Sequence, residues 1–128
     1  MTTVQRLAQI FGIVFLVVAI LGFVASGSSM ESDPEMAEKV LGLFPVNLVH
    51  NGVHLGFGIW GLLASRSFDG SRNYGIIGGV MYLVLAVLGY VAPDGFGLVP
   101  LGGNDIWLHV LLGAGLLAAG ATAKRAAA

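Results

Sequence analysis

The residues best suited to chemistry in this chain are three histidines and their polar neighbours, set among long apolar runs. In P-V-N-L-V-H-N-G-V-H, from Pro45 to His54, the polar residues Asn47, His50, Asn51 and His54 recur at three or four positions and share a helix face. Gly58, Gly61 and Ser65 continue that face. A second stripe follows the same rule: Asp105, His109, Gly113 and Gly120. Hydrocarbon satisfies none of these polar groups, so each stripe must face protein or water.

Several chemistries suit such stripes. The least demanding is structural, with histidines and asparagines hydrogen-bonding across helices while glycines let backbones approach. A second is axial ligation of a haem or a chlorophyll-type chlorin by His50, His54 and His109. There Asn47 or Asn51 would fix the second imidazole nitrogen, and Gly58 and Gly113, one turn beyond the histidines, would leave room for a macrocycle. A third is a proton, metal or small-solute site, because His50 with His54 is an i, i+4 pair able to hold zinc and Asp105 with His109 pairs carboxylate with imidazole. Catalysis has the least support. H-N-x-x-H lacks the glutamate that serves as base in H-E-x-x-H, no nucleophile stands beside a base, and no catalytic residue or metal is assigned.

The elements that position these stripes follow from composition. The 128 residues are 56% hydrophobic and 10% charged, with mean hydropathy +0.88, whereas charged residues make up about a quarter of an ordinary soluble domain. Charge is absent from Leu7 to Ala25, Leu48 to Ser65, Gly75 to Ala92 and Ile106 to Ala123, each near the roughly 20 residues that cross a bilayer as a helix. The spacing predicts four transmembrane helices. With no cysteine, disulfides, thiolate metal sites and thiol catalysis are excluded. A net charge of -1 with no basic stripe excludes a nucleic-acid partner.

The chain also repeats itself. F-L-V-V-A-I-L-G-F-V-A from Phe15 to Ala25 returns as Y-L-V-L-A-V-L-G-Y-V-A from Tyr82 to Ala92, a shift of 67 that also pairs Gly12 with Gly79. Further along, a shift of 55 pairs Pro45 with Pro100, His54 with His109, Gly58 with Gly113 and Leu62 with Leu117. The expectation is a single domain over residues 1–128 made of two tandem hairpins, repeat one at 6–65 and repeat two at 74–123, in parallel orientation about an axis along the membrane normal. The repeat also argues against reading Leu7 to Ala25 as a cleaved signal peptide, although Val24-Ala25-Ser26 resembles a processing site. Arg6, Arg66, Arg72, Lys124 and Arg125 fall on one side and Lys39 alone on the other, which predicts cytoplasmic N- and C-termini. In the longer outer loop, Met30 to Phe44 reads as a short amphipathic helix capped by Ser32 or Asp33, with Pro34 at its first position. Trp107 and Tyr74 suit the outer and inner interfacial belts, and Trp60 suits packing.

F-P-V-N-L-V-H-N-G-V-H-L-G-F-G-I-W-G-L, with Tyr82, Gly89 and D-I-W-L-H downstream, resembles the bacterial membrane family catalogued as domain of unknown function 4383. The resemblance spans nearly the whole chain. It implies four spans and supplies no activity.

Together these features predict an all-α membrane protein in a bacterial cytoplasmic or photosynthetic membrane. The expected function is that of a small non-enzymatic accessory or scaffold subunit, packing with other integral membrane subunits or with itself. The alternatives are a tetrapyrrole protein of a respiratory or photosynthetic complex, and a metal, proton or small-solute site.

Overall fold

The computed structural model describes residues 1–126. It contains four helices: α1 (Thr3–Ser26), α2 (Leu48–Ala64), α3 (Phe68–Val91) and α4 (Asp105–Ala121). A two-residue antiparallel pair, β1 (Lys39–Val40) with β2 (Phe44–Pro45), lies between α1 and α2. Three helices start on side-chain caps: Thr2 forms a capping box with Gln5, Asn47 accepts from the His50 amide and Ser67 accepts from the Gly70 amide. These bonds satisfy amides that the helix itself leaves unpaired.

α1 and α3, at 24 residues each, are long and apolar enough to cross a membrane. α2 and α4 have 17 residues each, about 25 Å at 1.5 Å per residue. Their first turns are preceded by extended chain that is itself buried, at Pro45–Asn47 and at Pro100–Gly102. The long first loop and the Ala92–Asn104 loop close one end of the bundle, and the start of α1 and the end of α4 lie at the other.

Each hairpin is held by glycines at its crossing. A methyl group added at Gly12 would lie 2.9 Å from the Gly58 oxygen and 2.9 Å from the Leu62 nitrogen. One added at Gly79 would lie 2.8 Å from the Gly113 oxygen and 2.5 Å from the Leu117 nitrogen. These are the positions that the two sequence shifts pair. Nothing larger than hydrogen fits between the backbones, so α1 lies directly on α2 and α3 directly on α4. Gly52 and Gly56 behave differently: both are exposed, with open space where a side chain would stand.

Between the hairpins the packing is aromatic. Phe15, Phe57, Tyr74, Tyr82 and Leu116 form one buried cluster with Ala8 and Ala64. Phe15 stacks on Tyr82 with centroids 5.3 Å apart, and Phe57 meets Tyr82 edge-on at 4.8 Å. Tyr74 belongs to this core, 1% exposed and donating to the Phe57 carbonyl at 3.1 Å, and not to an interfacial belt. Trp60 packs on both rings, and Trp107, about half exposed, rests edge-on against Phe44.

The amphipathic helix expected over Met30 to Phe44 does not form. Asp33 caps a single turn, its carbonyl accepting from Met36 and Ala37, and the chain then makes a hairpin in register Lys39 with Pro45 and Val40 with Phe44. The turn places Leu41 at φ 56° and Gly42 at φ 69°, the left-handed pair that a tight hairpin requires. Met36 and Leu41 are exposed and do not pack on the bundle.

Gly79→Ala should destabilise the protein by about 1–3 kcal/mol through overpacking at the α3–α4 crossing, and Gly12→Ala should do the same at α1–α2. Gly52→Ala, where a methyl meets nothing, should be neutral or slightly stabilising. Thermal unfolding in mild detergent distinguishes these outcomes.

Candidate functional site

His50 and His54 come from the first turns of α2, and His109 from the second turn of α4. The Asn47 cap sets where α2 begins, and therefore which way its first turns point. Asn47 also donates through Nδ2 to the Leu98 carbonyl at 2.9 Å, while Asn104 donates to the Leu43 carbonyl at 3.1 Å. The two accepting leucines are themselves related by the shift of 55. Each loop is thus tied to the other, and the histidines of the two hairpins are brought face to face beneath them.

The three imidazoles each present a nitrogen such that these atoms all lie within 4.8 Å of one another. Ring centroids are 4.5 Å apart for His50 and His54 and 5.8 Å for His50 and His109. All three residues are buried. Asp105, also buried, brings Oδ2 to 3.6 Å from His50 Nδ1. Tyr82 packs edge-on to His109 with centroids 5.2 Å apart.

A cavity of about 50 Å³ borders the cluster, lined by His50, His54, His109 and Tyr82 with Val53, Leu85, Val99 and Leu101. An ordered water needs on the order of 10–15 Å³ of such space. The cavity therefore has room for an ion or a few waters and is far smaller than a tetrapyrrole. Around it, Nδ1 of all three histidines, Asp105 Oδ2 and the Tyr82 hydroxyl are buried without a hydrogen-bond partner among the described residues. Native interiors seldom leave such groups unpaired, and their concentration gives the cavity wall the donors and acceptors that an ion or water would use.

Of the residues singled out from sequence, His50, His54 and His109 meet in this cluster. Asn47 serves as cap and loop tie. Asn51 donates to Ser26 Oγ at 2.8 Å, on the α1 side of the helix. Gly58 and Gly113 are filled against by Leu16 with Gly12 and by Leu83 with Gly79, so their missing side chains serve the helix crossings. Asp105 had been read as half of an i, i+4 pair with His109, but its nearest imidazole is His50 across the hairpins. Tyr82 was not among the expected site residues. Its signal was present in the repeat, where the apolar Phe15 becomes a phenol in the second copy.

A helical bundle with two membrane-length helices and a three-histidine, one-carboxylate cluster at one end defines the class. The chain belongs to the family described as Domain of unknown function (DUF4383), whose match covers residues 5–122. No curated protein and no solved structure matches it.

His50 Nδ1 and Asp105 Oδ2 approach to 3.6 Å without forming a hydrogen bond. His50→Ala should cost about 2–4 kcal/mol through the buried space it leaves, and the double replacement His50→Leu with Asp105→Leu, which removes both unpaired polar groups, should recover most of that loss. Unfolding in detergent with a chelator present measures both.

Proposed function

We propose that this protein is a non-enzymatic, four-span membrane protein that holds one divalent transition-metal ion between its two hairpins. The observation that carries this reading is the convergence of three buried imidazoles, within 4.8 Å, on a cavity of ionic size. Neutral imidazole suits zinc, copper, nickel and iron, and metal–nitrogen distances of about 2.0–2.1 Å require the three rings to close by roughly 1 Å on binding. Asp105 beside His50 Nδ1 supplies the carboxylate that commonly orients a ligating histidine and raises its basicity. Its negative charge also offsets part of the ion's charge in a medium that does not tolerate it. The small cavity and the occupied flanks of Gly58 and Gly113 favour an ion over the tetrapyrrole alternative.

The membrane placement is supported by the surface. Ile10, Ile13, Val17, Ile20 and Val24 on α1, and Ile77, Val80, Val84 and Val87 on α3, are exposed large apolar residues, far beyond what a soluble domain displays. In the four-span arrangement α2 and α4 complete their crossings with the buried extended segments before them. The hairpins are parallel repeats, both termini are cytoplasmic by the lysine and arginine distribution, and the metal site lies toward the outer leaflet of a bacterial cytoplasmic or photosynthetic membrane.

The accessory role remains a second reading, supported by the outward-facing Gly52 and Gly56 on α2. Small residues four apart on a lipid-facing surface let a partner helix approach closely.

Protein purified in mild detergent should take up about one equivalent of Co²⁺ or Zn²⁺ per chain, with no Soret absorption. His54→Ala and His109→Ala should each abolish uptake at stoichiometric metal. Wild-type protein that binds no metal and carries a Soret band lost on the same substitutions would overturn the proposal in favour of a tetrapyrrole. For the accessory reading, Gly52→Leu with Gly56→Leu should shift the native-gel species to lower mass, and an unchanged monomer in wild type would sink it.

A further inference from the structure

We infer that the metal site is open on one side, and that a small exchangeable ligand, water or hydroxide at rest and displaceable by a small monoanion, binds there beneath the Tyr82 hydroxyl. This rests on the metal reading above. Its starting point is the position of Asp105. The carboxylate lies beside His50 Nδ1 and is not among the residues lining the cavity, so it is not counted among the groups that face the ion. That leaves three protein ligands, His50, His54 and His109, for an ion that takes four or more.

The wall around the cavity says what fills the remaining position. Val53, Leu85, Val99 and Leu101 offer no donor and no acceptor, and Tyr82 is the remaining polar residue of the lining. Its hydroxyl is buried and without a partner among the described residues, although a buried phenol ordinarily finds one. A metal-bound water or hydroxide supplies it, with the phenol donating to the bound oxygen or accepting from it. The apolar wall selects for size and low charge, admitting an ion's single co-ligand of one to three heavy atoms and excluding a bulky or multiply charged anion. Exchange needs no redox partner: the bound water leaves as the incoming anion forms its bond to the metal, and the net charge of the site falls by one.

The repeat adds an independent observation. Copy one places a phenylalanine, Phe15, where copy two places Tyr82, and Phe15 faces His54 with centroids 5.8 Å apart as Tyr82 faces His109 at 5.2 Å. The two rings are alike in packing and differ in one hydroxyl. Tyr82→Phe therefore reproduces a side chain that the same fold already accommodates at the matched position.

The test uses the full-length protein in mild detergent, loaded with Co²⁺ and titrated with azide while the visible absorption bands of the metal are followed. An open site gives a saturable spectral change, and Tyr82→Phe weakens azide about five- to tenfold, the loss of one hydrogen bond, with Co²⁺ content measured in parallel. A Co²⁺-loaded protein whose spectrum does not respond at high azide overturns the open site, Asp105 having closed it as a fourth ligand, and leaves the metal reading standing. A response that is the same in Tyr82→Phe overturns the assignment of Tyr82. Failure to take up Co²⁺ at all overturns the metal reading and this inference with it.

Discussion

The contact on which the rest of the structure depends is the approach of bare backbone to bare backbone within each hairpin. At Gly12 against Gly58, and at Gly79 against Gly113, a single added methyl would meet a main-chain oxygen at 2.8–2.9 Å. His54 and His109 lie one turn from these crossings on the same helix faces as Gly58 and Gly113. Each packs against a ring of its own hairpin, His54 on Phe15 and His109 on Tyr82, and His50 bridges to His109 across the hairpins.

Between hairpins the geometry is reversed. α3 packs closely on α4 and α1 on α2, whereas the α2 and α4 backbones make no comparable approach, and long side chains fill the gap. In the half nearer the termini the filling is aromatic and complete: Phe57, Tyr74 and Leu116 are buried in continuous contact. Toward the loop end the filling is His50, His54, His109, Asp105 and Tyr82, and a void of about 50 Å³ remains. An apolar void would cost stability and could be closed by larger side chains. A void ringed by unpaired nitrogens and oxygens is a different object, because its walls keep a desolvation cost that only an ion or water removes.

How much of this was legible in the sequence depends on which physical rule governed each part. The helices were, because apolar runs bounded by charge admit one backbone solution in lipid. The histidine convergence was only half legible: Pro, His and Gly recur at one spacing in both copies, which treats His54 and His109 alike but leaves open whether both face inward or both face away. The outer segment was not. Met30 to Phe44 has the composition of an amphipathic helix, but Leu41-Gly42 adopts the left-handed turn that a hairpin needs, and turn chemistry outweighed propensity. Tyr74 has a different reason: position along the chain suggests an interface, while its ring fills the gap between α2 and α3 and donates to the Phe57 carbonyl.

The two copies match at the helix crossings and differ at residues beside the cavity. Glycines at the crossings, prolines before α2 and α4, and one histidine on each of those helices are duplicated. His50 opposite Asp105, and Phe15 opposite Tyr82, are not. A symmetric arrangement with two copies of His50 would put four imidazoles around the axis and no anion near them. One with two aspartates would set two like charges against each other in a buried place. The observed mixture of three imidazoles, one carboxylate and one phenol departs from the repeat at those two positions. The copies also differ away from the cavity, at Phe57 against Leu112, Trp60 against Gly115 and Asn51 against Ile106, so what the two copies share is the backbone crossing rather than the whole packing seam, and the differences at His50 and Tyr82 give the cavity its asymmetry.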